Sequence, residues 1–261
     1  MPAGALAKLP NLRLILSLTA GVDTLLGDST LPNVPIARTA DPDGDVMMNE
    51  TVLLHVLRHH RYMPDYLSAQ QRSEWIRRPI KAARERAVGI MGLGSVGLAA
   101  AKALAAIGFR VAGWVRQARP DGEIEIFSGR EQFDAFLARS EILIDLLPLT
   151  PQTYGIINAA TLKALPAGAA FINLGRGDHV VEADLIAALD SGHLGAATLD
   201  VYPVEPLPKD SPLWRHPKIT VMPHVARRLV PEEVASRICN VIREFRAGAP
   251  LAQAVDRTRG Y

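Results

Sequence analysis

Residues 87–108 read AVGIMGLGSVGLAAAKALAAIG. The first five are a continuous apolar run, the pattern of a strand buried on both faces of a parallel sheet. The stretch from Ser95 onward is alanine-rich, has helical period and stops at Gly108, a common helix end. Between the two lies GLGSVG, with glycines at 92, 94 and 97. That spacing alone is weak, because glycine-rich turns are common. Set between a strand and a helix, and followed by a second apolar run (RVAGWV, 110–115), it is specific.

Each glycine then has a physical task. Gly92 allows the tight turn, Gly94 lets the backbone approach a pyrophosphate, and Gly97 lets strand and helix pack closely. The helix N-terminus, at Ser95, Val96 and Gly97, offers free N–H groups and the positive end of the helix dipole. A dinucleotide site is therefore expected here. The second strand of such a unit often ends in an acid that binds the ribose 2′-hydroxyl. In this chain the position is Val115, 18 residues past Gly97, followed by Arg116 and Arg119. A 2′-phosphate needs cations, and arginine grips one with paired hydrogen bonds. NADP(H) is therefore the preferred cofactor, with NAD(H) possible. Two ordinary surface arginines are the alternative.

Outward from the motif, apolar runs alternate with helical patterns. Strands are expected at 12–18, 87–92, 110–115, 141–149, within 161–175, at 196–202 and at 219–225. Helices are expected at 50–67, 95–108, 131–140, 182–195 and 231–248. Such alternation means a parallel sheet with helices on both faces. The fold expected is α/β, a Rossmann-type doubly wound sheet over residues 81–227. Residues 1–80 and 228–261 would form a second, flavodoxin-like substrate domain. The basic stretch RSEWIRRPIKAARER (72–86) reads as a solvated linker or helix face.

Bulk composition excludes several classes. The 261 residues carry a net charge of +2 and no dense basic stripe, so no nucleic-acid partner is expected. No run approaches the ~18 apolar residues of a membrane span, and the first residues do not read as a signal peptide. The one cysteine, Cys239, cannot form an internal disulfide or a cysteine-based zinc site. It reads as a small buried apolar residue of a helix. No metal is expected, and the expected location is cytoplasmic.

Polar residues cluster after the strands, where open α/β sheets bind ligands. Arg176 follows AAFINL, Asp200 and Glu205 follow AATL, and His224 follows ITVMP. Reduction of a 2-keto acid needs this set. An arginine holds the carboxylate and polarises the carbonyl. A histidine delivers the proton near neutral pH, and a carboxylate beside it favours its charged form and fixes its orientation. The hydride comes from the nicotinamide, so no protein nucleophile is needed. The other six histidines (55, 59, 60, 179, 193 and 216) show no comparable setting in the sequence.

Taken together, GLGSVG, LLPLTPQTYGIIN, FINLGRGDHVVEADLIAALDSG, LDVYPVEPLP and MPHVA stand in the order and spacing of one family. The chain resembles the D-isomer-specific 2-hydroxyacid dehydrogenases over essentially its whole length. LTAGVD, SEWIRRP, DSPLWRHP and VDRTRGY make it most similar to the members that reduce glyoxylate and hydroxypyruvate with NADPH. The resemblance implies that Arg176, Glu205 and His224 are catalytic. It implies that Ala20, Gly21 and Val22 present backbone N–H groups to the substrate carboxylate, beside Arg176 and His224. Asp200 would bind the nicotinamide carboxamide. Leu147, Pro148 and Thr153 would wall the adenosine and ribose, with Leu174 and Gly175 also on the cofactor. Trp75 matches a tryptophan that reaches into the partner's active site of a homodimer, and a core or interface tryptophan without that task is an equal alternative.

Relatives carry ~50 more residues before the strand at 12–18, so the substrate domain is expected to lack its first βα units. A misassigned start, a truncated paralogue and a partial chain all fit. The function expected is NADPH-dependent reduction of glyoxylate and hydroxypyruvate to glycolate and D-glycerate. A reductase of another 2-keto acid and a catalytically weak nucleotide-sensing protein are the alternatives.

Overall fold

The computed structural model describes residues 2–19, 21–39, 46–117, 122–228, 230–251 and 253–260, with the backbone alone at residue 233. The chain divides into two compact units. One comprises Met1–Pro42, Pro148–Pro151 and Arg228–Tyr261, and the other Asp43–Leu147 and Gln152–Arg227.

In the first unit β1 (Ile15–Ser17) pairs in parallel with β2 (Ile36–Arg38), and a short helix α1 (Asp23–Leu26) lies between them. Strand β2 has only three residues, within NVPIARTA, too short to raise a pattern in the sequence. The C-terminal segment joins the outer side of β2. Val255 N–H donates to Ile36 O at 2.8 Å and Arg38 N–H to Gln253 O at 3.0 Å.

The second unit begins with α2 (Val46–His60) and α3 (Met63–Gln71). The periodicity of 50–67 suggested one helix, but the chain turns at Tyr62, which is left-handed with φ 54°. Pro64, in the first turn of α3, fits a helix start and not a helix interior. These helices group with the second unit, so the compact units divide near 42 where the sequence reading placed the boundary at 80. The physical reason is that α2 is bonded to the second unit's strands. Arg58 Nη1 donates to Thr220 Oγ1 at 2.7 Å, and the ring of His59 meets Thr198 Oγ1 at 2.9 Å.

The strands of this unit are β3 (Ala87–Met91), β4 (Arg110–Val115), β5 (Glu125–Ser128), β6 (Ile142–Asp145), β7 (Ala169–Asn173), β8 (Leu194–Leu199) and β9 (Ile219–Val221). They form one sheet in the order β5-β4-β3-β6-β7-β8-β9, with every pair parallel. The order of strand addition reverses between β3 and β6, the switch point where such sheets open a crevice. Strand β5 was not expected. It is a four-residue edge strand of mixed polarity, which gives a weak sequence signal.

The helices between strands are α4 (Ser95–Ile107), α5 (Phe133–Arg139), α6 (Ala159–Ala164) and α7 (Glu182–Asp190). Successive strand residues point to opposite faces, so two cores form. Ile90, Ile144 and Ile172 join Leu104 of α4 and Val52 and Val56 of α2. Met91, Leu143 and Phe171 join Phe133, Phe136, Leu185 and Leu189 on the other face. Truncating a fully buried phenylalanine such as Phe171 costs about 3–5 kcal/mol.

The chain returns to the first unit through α8 (Pro231–Arg246). Cys239, expected to be buried, is exposed on this helix. Among the described residues no helix is long and apolar enough to cross a membrane.

Candidate active site

The glycine turn is built as its sequence demands. Gly92 has φ 91°, and a Cβ there would lie 2.9 Å from Leu146 O. A Cβ on Gly97 would lie 1.9 Å from Gly92 O, so only glycine lets α4 start this close to β3. A Cβ on Gly94 would meet nothing within 4 Å, which leaves open space at the start of the helix. No side chain caps α4 there, and the N–H groups of Ser95, Val96 and Gly97 head the helix. This is a phosphate cradle in shape and polarity.

Strand β4 ends at Val115 with Arg116 exposed after it. No carboxylate stands at the end of that strand, so the residues fit a 2′-phosphorylated dinucleotide better than an unphosphorylated one. Arg119 and Ala20 lie outside the described residues. Leu147, Thr153, Leu174 and Gly175 belong to the second unit, as do all three expected catalytic residues. Gly21, Val22 and Pro148 belong to the first, where Val22 is buried just before α1. Trp75 is 91% exposed in the segment after α3.

Arg176, Glu205 and His224 stand beyond the C-terminal ends of β7, β8 and β9, which are neighbours in the sheet. Arg176 is half-buried, and its Nη1 donates to Gly175 O at 2.8 Å. Asn173 ties the turn before it, donating to Arg176 O at 2.9 Å while its Oδ1 accepts from Gly175 N–H at 3.0 Å.

Glu205 Oε2 accepts from His224 Nδ1 at 2.7 Å, and its Oε1 accepts from Tyr202 N–H at 2.9 Å. A carboxylate only accepts, so Nδ1 carries the hydrogen and Nε2 is the ring atom left for a ligand. The His224 side chain is 54% exposed, accessible to a substrate. Tyr202 is held by its hydroxyl, which donates to Leu199 O at 2.7 Å and Met222 O at 3.1 Å. Burial pushes that phenol well above its ordinary range, so it stays a donor.

His224 has φ 52°, a left-handed conformation uncommon for residues other than glycine. Asp200 braces the turn that follows it. Its two carboxylate oxygens accept from Val225 N–H at 2.8 Å and Ala226 N–H at 2.9 Å. Burial raises the Asp200 carboxyl above its usual range, and the two backbone donors oppose that shift. The resemblance suggested a nicotinamide contact for Asp200. The structure gives it a second task, clamping the turn that presents His224.

Sequence reasoning passed over two residues beside this site. His179 and Asp145 are both fully buried, with Nδ1 and Oδ2 at 2.6 Å. The sequence signal was a lone carboxylate inside the apolar run EILIDLLPL. His55, His59 and His60 of α2, which showed no functional setting in the sequence, are also buried. Burial, reinforced by the charge of Arg58, lowers His55 to about 4 and His59 to about 3.

A nucleotide turn, a strand-end arginine and a Glu–His pair on one parallel sheet define a nicotinamide-dependent oxidoreductase of the 2-hydroxyacid class. The chain belongs to the family described as D-isomer specific 2-hydroxyacid dehydrogenase, NAD binding domain, which it matches over residues 53–226. It is 41% identical over 257 residues to glyoxylate/hydroxypyruvate reductase A of Salmonella newport, covering 96% of this chain and 82% of that one. Among solved structures, a D-isomer specific 2-hydroxyacid dehydrogenase of Xanthobacter autotrophicus in complex with NADPH and MES superposes with a TM-score of 0.96. The two are 47% identical over 100% of this chain and 82% of that one. The NADPH-dependent glyoxylate/hydroxypyruvate reductase of Sinorhizobium meliloti, in complex with NADP and sulfate, gives a TM-score of 0.90. It is 40% identical over 97% of this chain and 81% of that one.

Proposed function

We propose that this protein reduces glyoxylate and hydroxypyruvate to glycolate and D-glycerate with NADPH. The observation that carries the reading is the Glu205–His224 pair, held by Asp200 and Tyr202 at the same edge of the sheet as Arg176. The relatives named above, called glyoxylate/hydroxypyruvate reductases, support the substrate, and the ones solved with NADPH or NADP support the cofactor.

When bound, the reduced nicotinamide supplies a hydride to the keto carbon. Arg176 pairs with the substrate carboxylate and polarises the carbonyl. His224 gives its Nε2 proton to the carbonyl oxygen as that oxygen gains charge. Glu205 keeps the Nδ1 hydrogen in place throughout, so the ring ends neutral with its orientation unchanged. Leu147, Thr153, Leu174 and Gly175, all in the second unit, would line the cofactor.

A homodimer is part of the proposal. Leu54, Leu57, Met63, Leu67, Trp75 and Ile80 are all exposed on α2, α3 and the following segment, a run of large apolar side chains that a second copy would cover. Trp75 is then the residue that reaches the partner. A reducing, cytoplasmic setting agrees with the single free thiol.

Steady-state oxidation of NADPH with glyoxylate and with hydroxypyruvate tests the reading. Saturable turnover of both is expected. Folded protein that binds NADPH and turns over neither sinks it. Faster turnover of a bulkier 2-keto acid replaces the substrate.

A further inference from the structure

Asp145 and His179 lie 34 residues apart in sequence, yet their side chains meet at 2.6 Å with no exposure of either. A buried polar pair of this kind is weak support for stability, since well-packed apolar residues often do as well. What it does supply is a fixed geometry, and here that geometry is placed under the backbone that leads to Arg176.

Asp145 is the last residue of β6 and uses three acceptors. Its Oδ2 takes the His179 ring N–H, its Oδ1 takes Leu147 N–H at 3.0 Å, and its carbonyl takes Leu174 N–H at 3.1 Å. It therefore joins the turn after β6 to the turn after β7. His179 closes the one-turn helix Gly177–His179 that follows Arg176. Its N–H donates to Arg176 O at 3.3 Å, and its carbonyl accepts from Ile157 N–H at 2.8 Å. Gly175 passes directly over the pair. A Cβ there would lie 3.0 Å from Asp145 Oδ2 and 3.2 Å from His179 Nδ1. The backbone on both sides of Arg176 is thus tied to one buried hydrogen bond.

We infer that Asp145 and His179 are positioning residues for Arg176, which set the direction in which its guanidinium leaves the sheet edge. The inference rests on the proposed role of Arg176 as the anchor of the substrate carboxylate. Neither residue touches the reacting atoms. They act by holding Gly175 and the following turn at one height.

Three variants of the full-length protein, His179→Leu, His179→Asn and Asp145→Asn, test this. In His179→Leu the carboxylate loses its donor. Displacing the anchor by about 1 Å should lower kcat and raise KM for glyoxylate, with kcat/KM down about tenfold to a hundredfold. The dissociation constant for NADPH, measured by fluorescence, should change by a smaller factor than kcat/KM, since the glycine turn that holds the phosphates is untouched while Leu147, Leu174 and Gly175 lie against the pair. His179→Asn places an amide N–H where Nδ1 stands and should recover most of the loss. Asp145→Asn keeps an acceptor for Leu147 N–H, and it takes the same readouts if His179→Leu does not fold.

A purely structural pair would instead lower the melting temperature and the active fraction. Then kcat falls while KM stays at the wild-type value, and that result overturns the proposal. A crystal structure of His179→Leu, or of Asp145→Asn if that alone folds, reads the claim without turnover. A displaced Arg176 side chain supports it, and an unmoved one overturns it whatever the substrate is. Failure of the wild type to reduce glyoxylate removes the substrate reading alone.

Discussion

Glu205 bridges His224 Nδ1 at 2.7 Å and the backbone N–H of Tyr202 at 2.9 Å, so one carboxylate fixes both the tautomer and the position of the proton donor. Removing the donor removes the proton. His224→Ala should lower kcat about 100- to 10,000-fold with intact NADPH binding. Glu205→Gln keeps an acceptor for Tyr202 N–H but removes the charge, so a smaller loss of kcat is expected. Turnover by His224→Ala at the wild-type rate would refute the assigned role.

Asp200 should act through His224. Asp200→Ala frees Val225 and Ala226 N–H and removes the brace on the turn that follows His224. Leaving buried donors unpaired costs about 1–3 kcal/mol each, so the melting temperature should drop along with kcat. Asp200→Asn retains one acceptor and should lie between. An Asp200→Ala protein with wild-type kcat would show that the clamp is not needed.

We assign cofactor choice to Arg116, which directly follows β4. Arg116→Ala should raise KM for NADPH about 10- to 100-fold by losing charge-assisted bonds to a phosphate. KM for NADH should move little. Equal effects on the two cofactors would assign Arg116 elsewhere.

Acid stability should reflect the buried histidines of α2. In the folded protein His55 is held at about 4 and His59 at about 3 by burial, against an ordinary 6.5. The unfolded chain therefore binds protons that the folded one refuses as pH falls below about 6.5. Stability is fully present above about 6.5 and is lost progressively toward pH 3–4. Urea unfolding followed from pH 8 to 4 measures it, and His55→Leu, which loses one of these protons, should flatten the curve.

Self-association should depend on the apolar run of α2, α3 and Trp75. Light scattering should show a dimer for the wild type, and paired charges at exposed Leu54 and Leu67 should yield monomer. Dimer retained by that variant would place the interface elsewhere.

The dinucleotide fold was legible because local signals agreed with the global one. The apolar run 87–91, the glycines and the alanine-rich helix each pointed to the same turn. The proposed site residues Arg176, Glu205 and His224 could be singled out because they stand in the segments after strands, where the sheet topology places ligand groups. Other features were not. Strands β2 and β5 are three and four residues long and leave too short a pattern to read. The break at Tyr62 depends on a backbone conformation that periodicity does not encode. Cys239 was assigned the wrong exposure, because helical spacing tells which residues share a face but not what covers it.

The sequence by itself determined the class of fold and the glycine turn, and it singled out the three residues proposed for the chemistry, since these follow from short-range patterns and their order along the chain. Tertiary structure alone decided that Asp145 meets His179, that Asp200 clamps the turn of His224, and that α2 packs on β8 and β9. Each joins residues more than 20 positions apart whose partners are chosen by strand order and burial, and neither is written in any local stretch.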